Sequence, residues 1–124
     1  MIHLDTSVLI DALTGPRRSA RALRTLIEDG ERIAVSSLVL YEWRREPRRL
    51  EDLAAQEALF PADEAAPFGA AEAAVAAELY RALSRPRGRE IDLAIAACAI
   101  LQQARLWTLN ESDFRDIPRL SLVE

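Results

Sequence analysis

Short apolar runs alternate with longer stretches of helical periodicity along the chain, and this alternation limits the possible folds more than any other feature. Apolar and β-branched patterns predict strands at residues 1–5, in "RIAVSS", "LWTL" and "RLSLV", and briefly at "LF" before the loop "PADEAAPFG". Helical spacing is predicted for 6–13, 17–28, "LVLYEWRR" capped by Ser36 or Ser37, "RRLEDLAAQEA" after Pro47, 70–83 and 90–103. Strands alternating with helices predict an α/β domain with a mainly parallel sheet.

Length and composition indicate one domain in a reducing compartment. The chain has 124 residues, half of them hydrophobic, without an internal repeat or a long linker, so we expect residues 1–124 to form a single domain. Its one cysteine, Cys98, excludes an internal disulfide. We find no stretch that could span a bilayer and no signal peptide. These features predict a cytoplasmic protein.

All 16 basic residues are arginines, in a chain whose formal net charge is −4. They cluster within 17–24, 44–49 and 85–89. A GC-rich genome would supply arginine to solvated faces without any functional reason. Alternatively, the clusters form local ridges that bind phosphate through the planar guanidinium group. The net charge argues against nonspecific coating of nucleic acid, but it is compatible with an acidic pocket that nucleic acid reaches over basic flanks.

Four carboxylates occupy positions where the surrounding sequence is apolar or ends a strand. Asp5 follows the first strand, Glu42 lies inside "SLVLYEW", Asp92 lies in the first turn of the almost entirely apolar helix, and Asp113 follows the strand "LWTL" closely. In open parallel sheets, ligands bind beyond the carboxyl ends of strands. Asp5 and Asn110 both come at such ends, so this edge is where chemistry is expected.

Each of these carboxylates also has a local structural explanation. Asp5 could cap a helix, and Asp113 could form a capping pair with Asn110. Glu42 could pair with Arg45 or Arg49 on its own helix, and Asp92 could interact with the dipole of the helix in whose first turn it lies. Together these explanations weaken, because burying an unpaired carboxylate is costly and the chain has no lysine. A shared cation would compensate all four, and an all-carboxylate set favours Mg²⁺ or Mn²⁺ over Zn²⁺.

The motifs in this order resemble the PIN-domain family, and more closely the VapC-type toxins of type II toxin–antitoxin pairs. The resemblance covers essentially the whole chain and is carried by "LDTSVLIDAL", "YEWRR", "GREIDLAIAACAI", "LWTLNESDF" and "RLSLV". The first motif and "TLN..DF" are strongly typical, whereas Glu42 is identified mainly by its position. The resemblance implies a three-layer α/β/α PIN-like domain with a mainly parallel central sheet.

The resemblance also implies a Mg²⁺- or Mn²⁺-dependent endoribonuclease, in which water activated by the metal cleaves RNA phosphodiesters. The residues that match its catalytic and metal-binding acids are Asp5, Glu42, Asp92 and Asp113. The residues that match polar groups orienting those acids and the metal-bound water are Thr6 or Ser7, and Asn110. The candidates for contacts with RNA phosphates are Arg44, Arg45, Arg87 and Arg89. The implied partners are RNA, a cognate VapB-type antitoxin that blocks the acidic site, and a second copy of the chain in a homodimer.

Other interpretations remain open from the sequence. The chain could be a non-catalytic PIN-fold module that binds RNA or a partner, or a PIN-type nuclease outside any toxin–antitoxin pair. A haloacid-dehalogenase-like phosphatase would need a second aspartate two residues after Asp5, where Ser7 stands. Of the remaining polar residues, we interpret Asp11 and Asp116 as surface groups, and His3 as a packing residue.

Overall fold

Three short parallel strands form the centre of the fold. The computed structural model describes residues 1–124, and its strands are β1 (Ile2–Leu4), β2 (Ile33–Ala34) and β3 (Arg105–Trp107), in the order β2-β1-β3. In the central strand, Ile2 is in register with Ile33 on one side and with Arg105 on the other. Helices connect the strands, as parallel pairing requires, and the prediction of a parallel α/β sheet is confirmed.

Six α-helices surround this sheet in the expected α/β/α arrangement. They are α1 (Thr6–Leu13), α2 (Arg18–Glu28), α3 (Ser37–Arg45), α4 (Leu50–Leu59), α5 (Ala70–Ala82) and α6 (Glu90–Leu101), with 3₁₀ turns at Ala62–Glu64 and Glu111–Asp113. The cap of α3 is Ser36, whose Oγ accepts the backbone N–H of Val39 at 3.3 Å. None of the helices has both the length and the apolar character needed to cross a lipid bilayer.

The core lies between the sheet and the helices that cover it. Leu93–Ala99 of α6 is buried without interruption, which explains why that helix is apolar nearly all round. Helix α6 packs against α5, and α1 packs against α2 and α3. The strand residues Ile2, Leu4 and Leu106 are fully buried between these layers. The core therefore holds the carboxyl ends of β1 and β3 rigidly beside the first turns of α1 and α6.

The structure differs from the sequence prediction in two short strands. "LF" is not a strand, because Leu59 ends α4 and the Gln56 side chain donates to the Phe60 carbonyl at 2.9 Å, which ties that peptide to the helix end. "RLSLV" forms only a single parallel bridge, between Leu122 and Leu106. The helix predicted to begin after Pro47 begins at Leu50.

Candidate functional site

Asp5 lies at the carboxyl end of the central strand, at the position that precedes α1. Its side chain makes no capping bond to the helix, although its extended backbone (φ −74°, ψ 158°) would suit a cap. Instead, Oδ2 accepts hydrogen bonds from Ser7 Oγ at 2.9 Å and from Thr108 Oγ1 at 2.7 Å. Neither hydroxyl donates a hydrogen bond to the other carboxylate oxygen, Oδ1 of Asp5. The residue is only 5% exposed, so this carboxylate is held in one orientation at the sheet edge.

Thr108 is a residue of the candidate site that the sequence analysis did not single out. It follows β3, is 5% exposed, and accepts the Asn110 N–H at 2.9 Å while donating to Asp5. Ser7 completes the link, because its Oγ accepts the Leu109 N–H at 3.0 Å. Two hydroxyl groups thus join the ends of β1 and β3. The strand-end rule that selected Asp5 and Asn110 applies equally to the threonine in "LWTL".

Glu42 is turned inward from α3, and its side chain is 18% exposed. Thr6 Oγ1 donates to Glu42 Oε1 at 2.5 Å, so the first residue of α1 orients this carboxylate. Arg45 lies 3.6 Å from the other oxygen, one turn along α3. The local ion pair considered from the sequence therefore exists, but it is partly solvent-exposed and accompanies the contact with Thr6.

The Asp92 carboxyl group is affected by the charges of the other three acidic residues. It lies half-buried in the first turn of α6. Burial is the largest cause that raises its pKa from 3.8 to about 6, followed by the charges of Asp5, Asp113 and Glu42, while Arg89 lowers it. The structure therefore brings Asp5, Glu42 and Asp113, which come from three other segments, within electrostatic range of Asp92.

Asp113 ends the 3₁₀ turn that follows β3, and it is exposed. The capping pair considered from the sequence does not form, because the Asn110 side chain makes no capping bond and only its carbonyl accepts the Asp113 N–H, at 3.0 Å. Arg89 donates to the Asp113 carbonyl at 2.8 Å and pairs with Asp116. Asp116, interpreted from the sequence as a surface group, is thus an ion-pair partner at the border of the site.

An open pocket of about 350 Å³ lies over these groups. The residues that line it are Asp5, Thr6, Ser7, Ile10, Glu42, Arg45, Glu46, Asp92 and Asn110. Seven of the predicted site residues, Arg45 among them, thus line one pocket, whereas Asp113 lies beside it. Glu46 is a further acidic lining residue that the sequence analysis missed, because it follows the end of α3 in a plainly polar segment.

The remaining predicted arginines differ in their surroundings. Arg44 and Arg87 are exposed, and Arg87 shares a shallow depression of about 320 Å³ with Tyr80, Ser84 and Arg85. Arg89 is engaged within the protein, with its side chain 21% exposed. Only Arg44, Arg45 and Arg87 are therefore free to meet a ligand without first breaking a bidentate ion pair.

Two other reactive residue types lie outside the pocket. His3 is buried and its Nε2 is 2.7 Å from Gln102 Oε1, and burial lowers its pKa, so the ring is a neutral packing group. Cys98 is 1% exposed, and burial raises the pKa of its thiol to about 11. Neither residue reaches the acidic cluster, so a nucleophilic thiol or a histidine base has no place in this pocket.

The donors in the pocket fit a hard divalent cation better than any other group. In this structure, no group of three or more acidic, histidine or cysteine side chains lies close enough together to hold a metal ion. The chemistry of the set is nevertheless specific, because the lining side chains that could bind a metal ion are carboxylates, hydroxyls and an amide, and the charges of neighbouring carboxylates raise the pKa of Asp92. Oxygen-only ligation of this kind suits Mg²⁺ or Mn²⁺.

Comparison with known proteins agrees with this architecture over nearly the full chain. Residues 2–120 match the family described as PIN domain. "Ribonuclease VapC19" of Mycobacterium tuberculosis is 38% identical over 125 residues, which cover 94% of this chain and 94% of that protein.

Solved structures show the same fold. VapBC2 from Rickettsia felis, bound to a promoter DNA fragment, is similar with a TM-score of 0.72 and 26% identity, covering 99% of this chain and 98% of that chain. DNA-bound VapBC from Salmonella typhimurium gives a TM-score of 0.79 at 20% identity, covering 98% and 96%, and supports the fold alone. The chain therefore belongs to the PIN domain family. Within that family it is of the VapC type, as its likeness to VapC19 shows.

Proposed function

We propose that this protein is a Mg²⁺- or Mn²⁺-dependent endoribonuclease and the toxin of a type II toxin–antitoxin pair. The observation that carries the proposal is the convergence of Asp5, Glu42 and Asp92 on one open pocket, with Asp113 close enough for its charge to act on Asp92. These four carboxylates would hold the cation. The ribonuclease name of VapC19, at 38% identity, supports the same activity.

The residues around the carboxylates provide pre-organisation. Ser7 and Thr108 fix Asp5 through Oδ2, and Thr6 fixes Glu42, so these two acids would need little reorganisation when substrate arrives. When bound, the divalent cation would activate water and offset the charge that builds on the phosphoryl oxygens. The exposed guanidinium groups of Arg44, Arg45 and Arg87 would contact RNA phosphates.

The partners proposed for this chain follow from its relatives. Its structural neighbours include the VapBC2 assembly from Rickettsia felis, at 26% identity. We accordingly propose a VapB-type antitoxin as the partner that blocks the acidic pocket. On the resemblance and the composition of the sequence, we also propose a homodimer as the assembled state and the cytoplasm as the place of action. An anionic pocket would attract a cationic side chain from such an antitoxin.

Replacing the fixed carboxylate tests the catalytic proposal. Asp5→Asn should reduce Mn²⁺-dependent RNA cleavage by about 100-fold or more, because the amide keeps the shape of the side chain but removes a ligand charge. The measurement is cleavage of structured RNAs by purified protein, with circular dichroism confirming the fold. Asp63→Asn is the matched control, because Asp63 is exposed in the 3₁₀ turn at Ala62–Glu64, and it should retain full activity.

The same assay separates the alternatives. Undiminished cleavage by Asp5→Asn would contradict the assignment of the site. A wild-type protein that binds RNA but leaves it intact with Mg²⁺ and Mn²⁺ would support the non-catalytic binding module. A wild-type nuclease whose expression in cells is not neutralised by the product of a neighbouring reading frame would point to a PIN-type nuclease outside a toxin–antitoxin pair.

A further inference from the structure

Arg89 connects two of the segments that carry the acidic cluster. It directly precedes α6, where Gly88 (φ +81°) turns the chain, and its carbonyl accepts the Leu93 N–H at 2.9 Å. Its guanidinium group makes three contacts with the segment after β3. Nη2 donates to the Asp113 carbonyl at 2.8 Å and to Asp116 Oδ1 at 2.6 Å, and Nη1 donates to Asp116 Oδ2 at 2.9 Å.

These contacts are unlike the other ion pair on the same segment. Arg115 reaches Glu111 with a single contact of 3.2 Å, and its side chain is 72% exposed. Arg89 is only 21% exposed, bidentate to a carboxylate, and also satisfies a backbone carbonyl. A bidentate guanidinium–carboxylate pair fixes geometry as well as charge. Its two terminal nitrogens are directed at the protein itself, so the group is not presented to an RNA phosphate.

Two buried side chains anchor the segment that carries Asp113 in the core, but the hydrogen bonds that tie it to the start of α6 are those of Arg89. It contains one 3₁₀ turn, and its apolar contacts are those of Phe114 and Ile117, which are 2% and 3% exposed. Asp113 itself is exposed, and it faces electrostatic repulsion from Asp92. Without a polar tie, this repulsion favours movement of the turn away from α6.

We propose that Arg89 is a positioning residue: with Asp116 it forms a clamp that holds the turn at Glu111–Asp113 against the start of α6, and so places Asp113 beside Asp92. The clamp consists of Arg89, Asp116 and the Asp113 carbonyl. Arg89 directly precedes α6 and lies three residues before Asp92, so the start of one helix carries both the clamp arginine and the acid that it serves. This inference rests on the proposed metal site.

The charge of Arg89 and its proposed positioning role predict opposite changes in cation affinity when Arg89 is removed. Arg89 lowers the pKa of Asp92, so its positive charge is felt at the cluster. By charge alone, removing Arg89 would strengthen the binding of a divalent cation. If the clamp places Asp113, removing Arg89 weakens that binding, because one ligand is no longer in position. The sign of the change in Mn²⁺ affinity therefore identifies the role.

The test measures Mn²⁺ binding to the full chain by electron paramagnetic resonance of the free ion, together with amide hydrogen exchange in metal-free buffer. Arg89→Ala should bind Mn²⁺ about tenfold more weakly than the wild type. Its amides in 111–116 should exchange roughly tenfold faster, because the turn opens more often. Arg89→Lys keeps the charge but not the planar group, so it should also bind Mn²⁺ more weakly. Arg115→Ala, on the same segment, should match the wild type in both measurements.

A double variant tests the partnership. Arg89→Ala combined with Asp116→Ala should bind Mn²⁺ no more weakly than Arg89→Ala alone, because both changes remove the same clamp. Mn²⁺ affinity of Arg89→Ala equal to or above that of the wild type, with unchanged exchange in 111–116, would overturn the proposal. A wild-type protein that binds no Mn²⁺ would instead contradict the proposed function. The exchange data would then show independently whether Arg89 holds the turn, because faster exchange in 111–116 does not depend on the metal.

Discussion

Folding disfavours the ionised form of the Asp92 carboxyl group. Burial and the charges of three neighbouring carboxylates raise its pKa to about 6, so the folded protein binds this proton more tightly than the unfolded chain does. Stability from this group is complete below the unfolded pKa of 3.8 and is lost as the pH rises to about 6. At neutral pH the metal-free protein therefore carries an unrelieved repulsion.

Asp92→Asn should remove this repulsion. We expect the free energy of unfolding in metal-free buffer at pH 8 to increase by about 1–2 kcal/mol, after allowance for the solvent that reaches the half-buried group. At pH 4 the difference from the wild type should nearly vanish. Urea unfolding at both pH values, with a chelator present, measures the two differences. Equal differences at pH 4 and pH 8 would show that charge is not the cause, and Asp63→Asn serves as the exposed control.

The type and position of residues in the sequence single out the four acids as candidates, but they do not predict which residues hold these acids in place. Asp5, Glu42, Asp92 and Asp113 stand out because carboxylates are unexpected in apolar or strand-end positions. Thr108 does not stand out, because threonine is ordinary in a strand, and its role depends on β3 lying beside β1. Likewise, the partner of Arg89 is 27 residues away, and no local pattern in the sequence predicts that pairing.

Elements built from local signals were the most predictable part of the fold. The long helices follow from apolar periodicity, and α6 was expected to be buried because it is apolar nearly all round. The short segments were less predictable. "LF" has a strand-like composition, but the tie between Gln56 and Phe60 keeps it at the end of α4. "RLSLV" forms one bridge to Leu106 and does not extend into a strand.

Helix α3, which carries Glu42, depends on its N-cap. Ser36→Ala should lower the free energy of unfolding by about 1 kcal/mol, because the buried Val39 N–H loses its acceptor. The adjacent Ser37→Ala is a matched control, since Ser37 is exposed and lies within the helix, and it should change stability by less than about 0.5 kcal/mol. Urea denaturation of both variants measures their free energies of unfolding and distinguishes the two expectations. Equal losses for both serines would contradict the assignment of the cap to Ser36.

At the scale of the whole molecule, the acidic cluster links cation binding to stability. Mn²⁺ at 100 times its Kd should stabilise the folded protein by about 2.7 kcal/mol, because an ion that binds only the native state shifts the unfolding equilibrium. Thermal unfolding with and without Mn²⁺ should show a rise in Tm that a chelator reverses. Asp5→Asn should show a clearly smaller rise at the same concentration. A rise of the same size in that variant would place the bound ion elsewhere.

The order of the strands has a consequence for biosynthesis. The central strand β1 is made first, but its neighbour β3 is made last, and Asp5 is fixed by Thr108, 103 residues further along. A nascent chain of which only the first half has been translated therefore contains Asp5 and Glu42 but neither Asp92 nor Asp113, so the four acidic groups cannot yet come together. Under the proposed function, the growing chain stays harmless to the RNA of the ribosome that makes it until translation has passed Asp113.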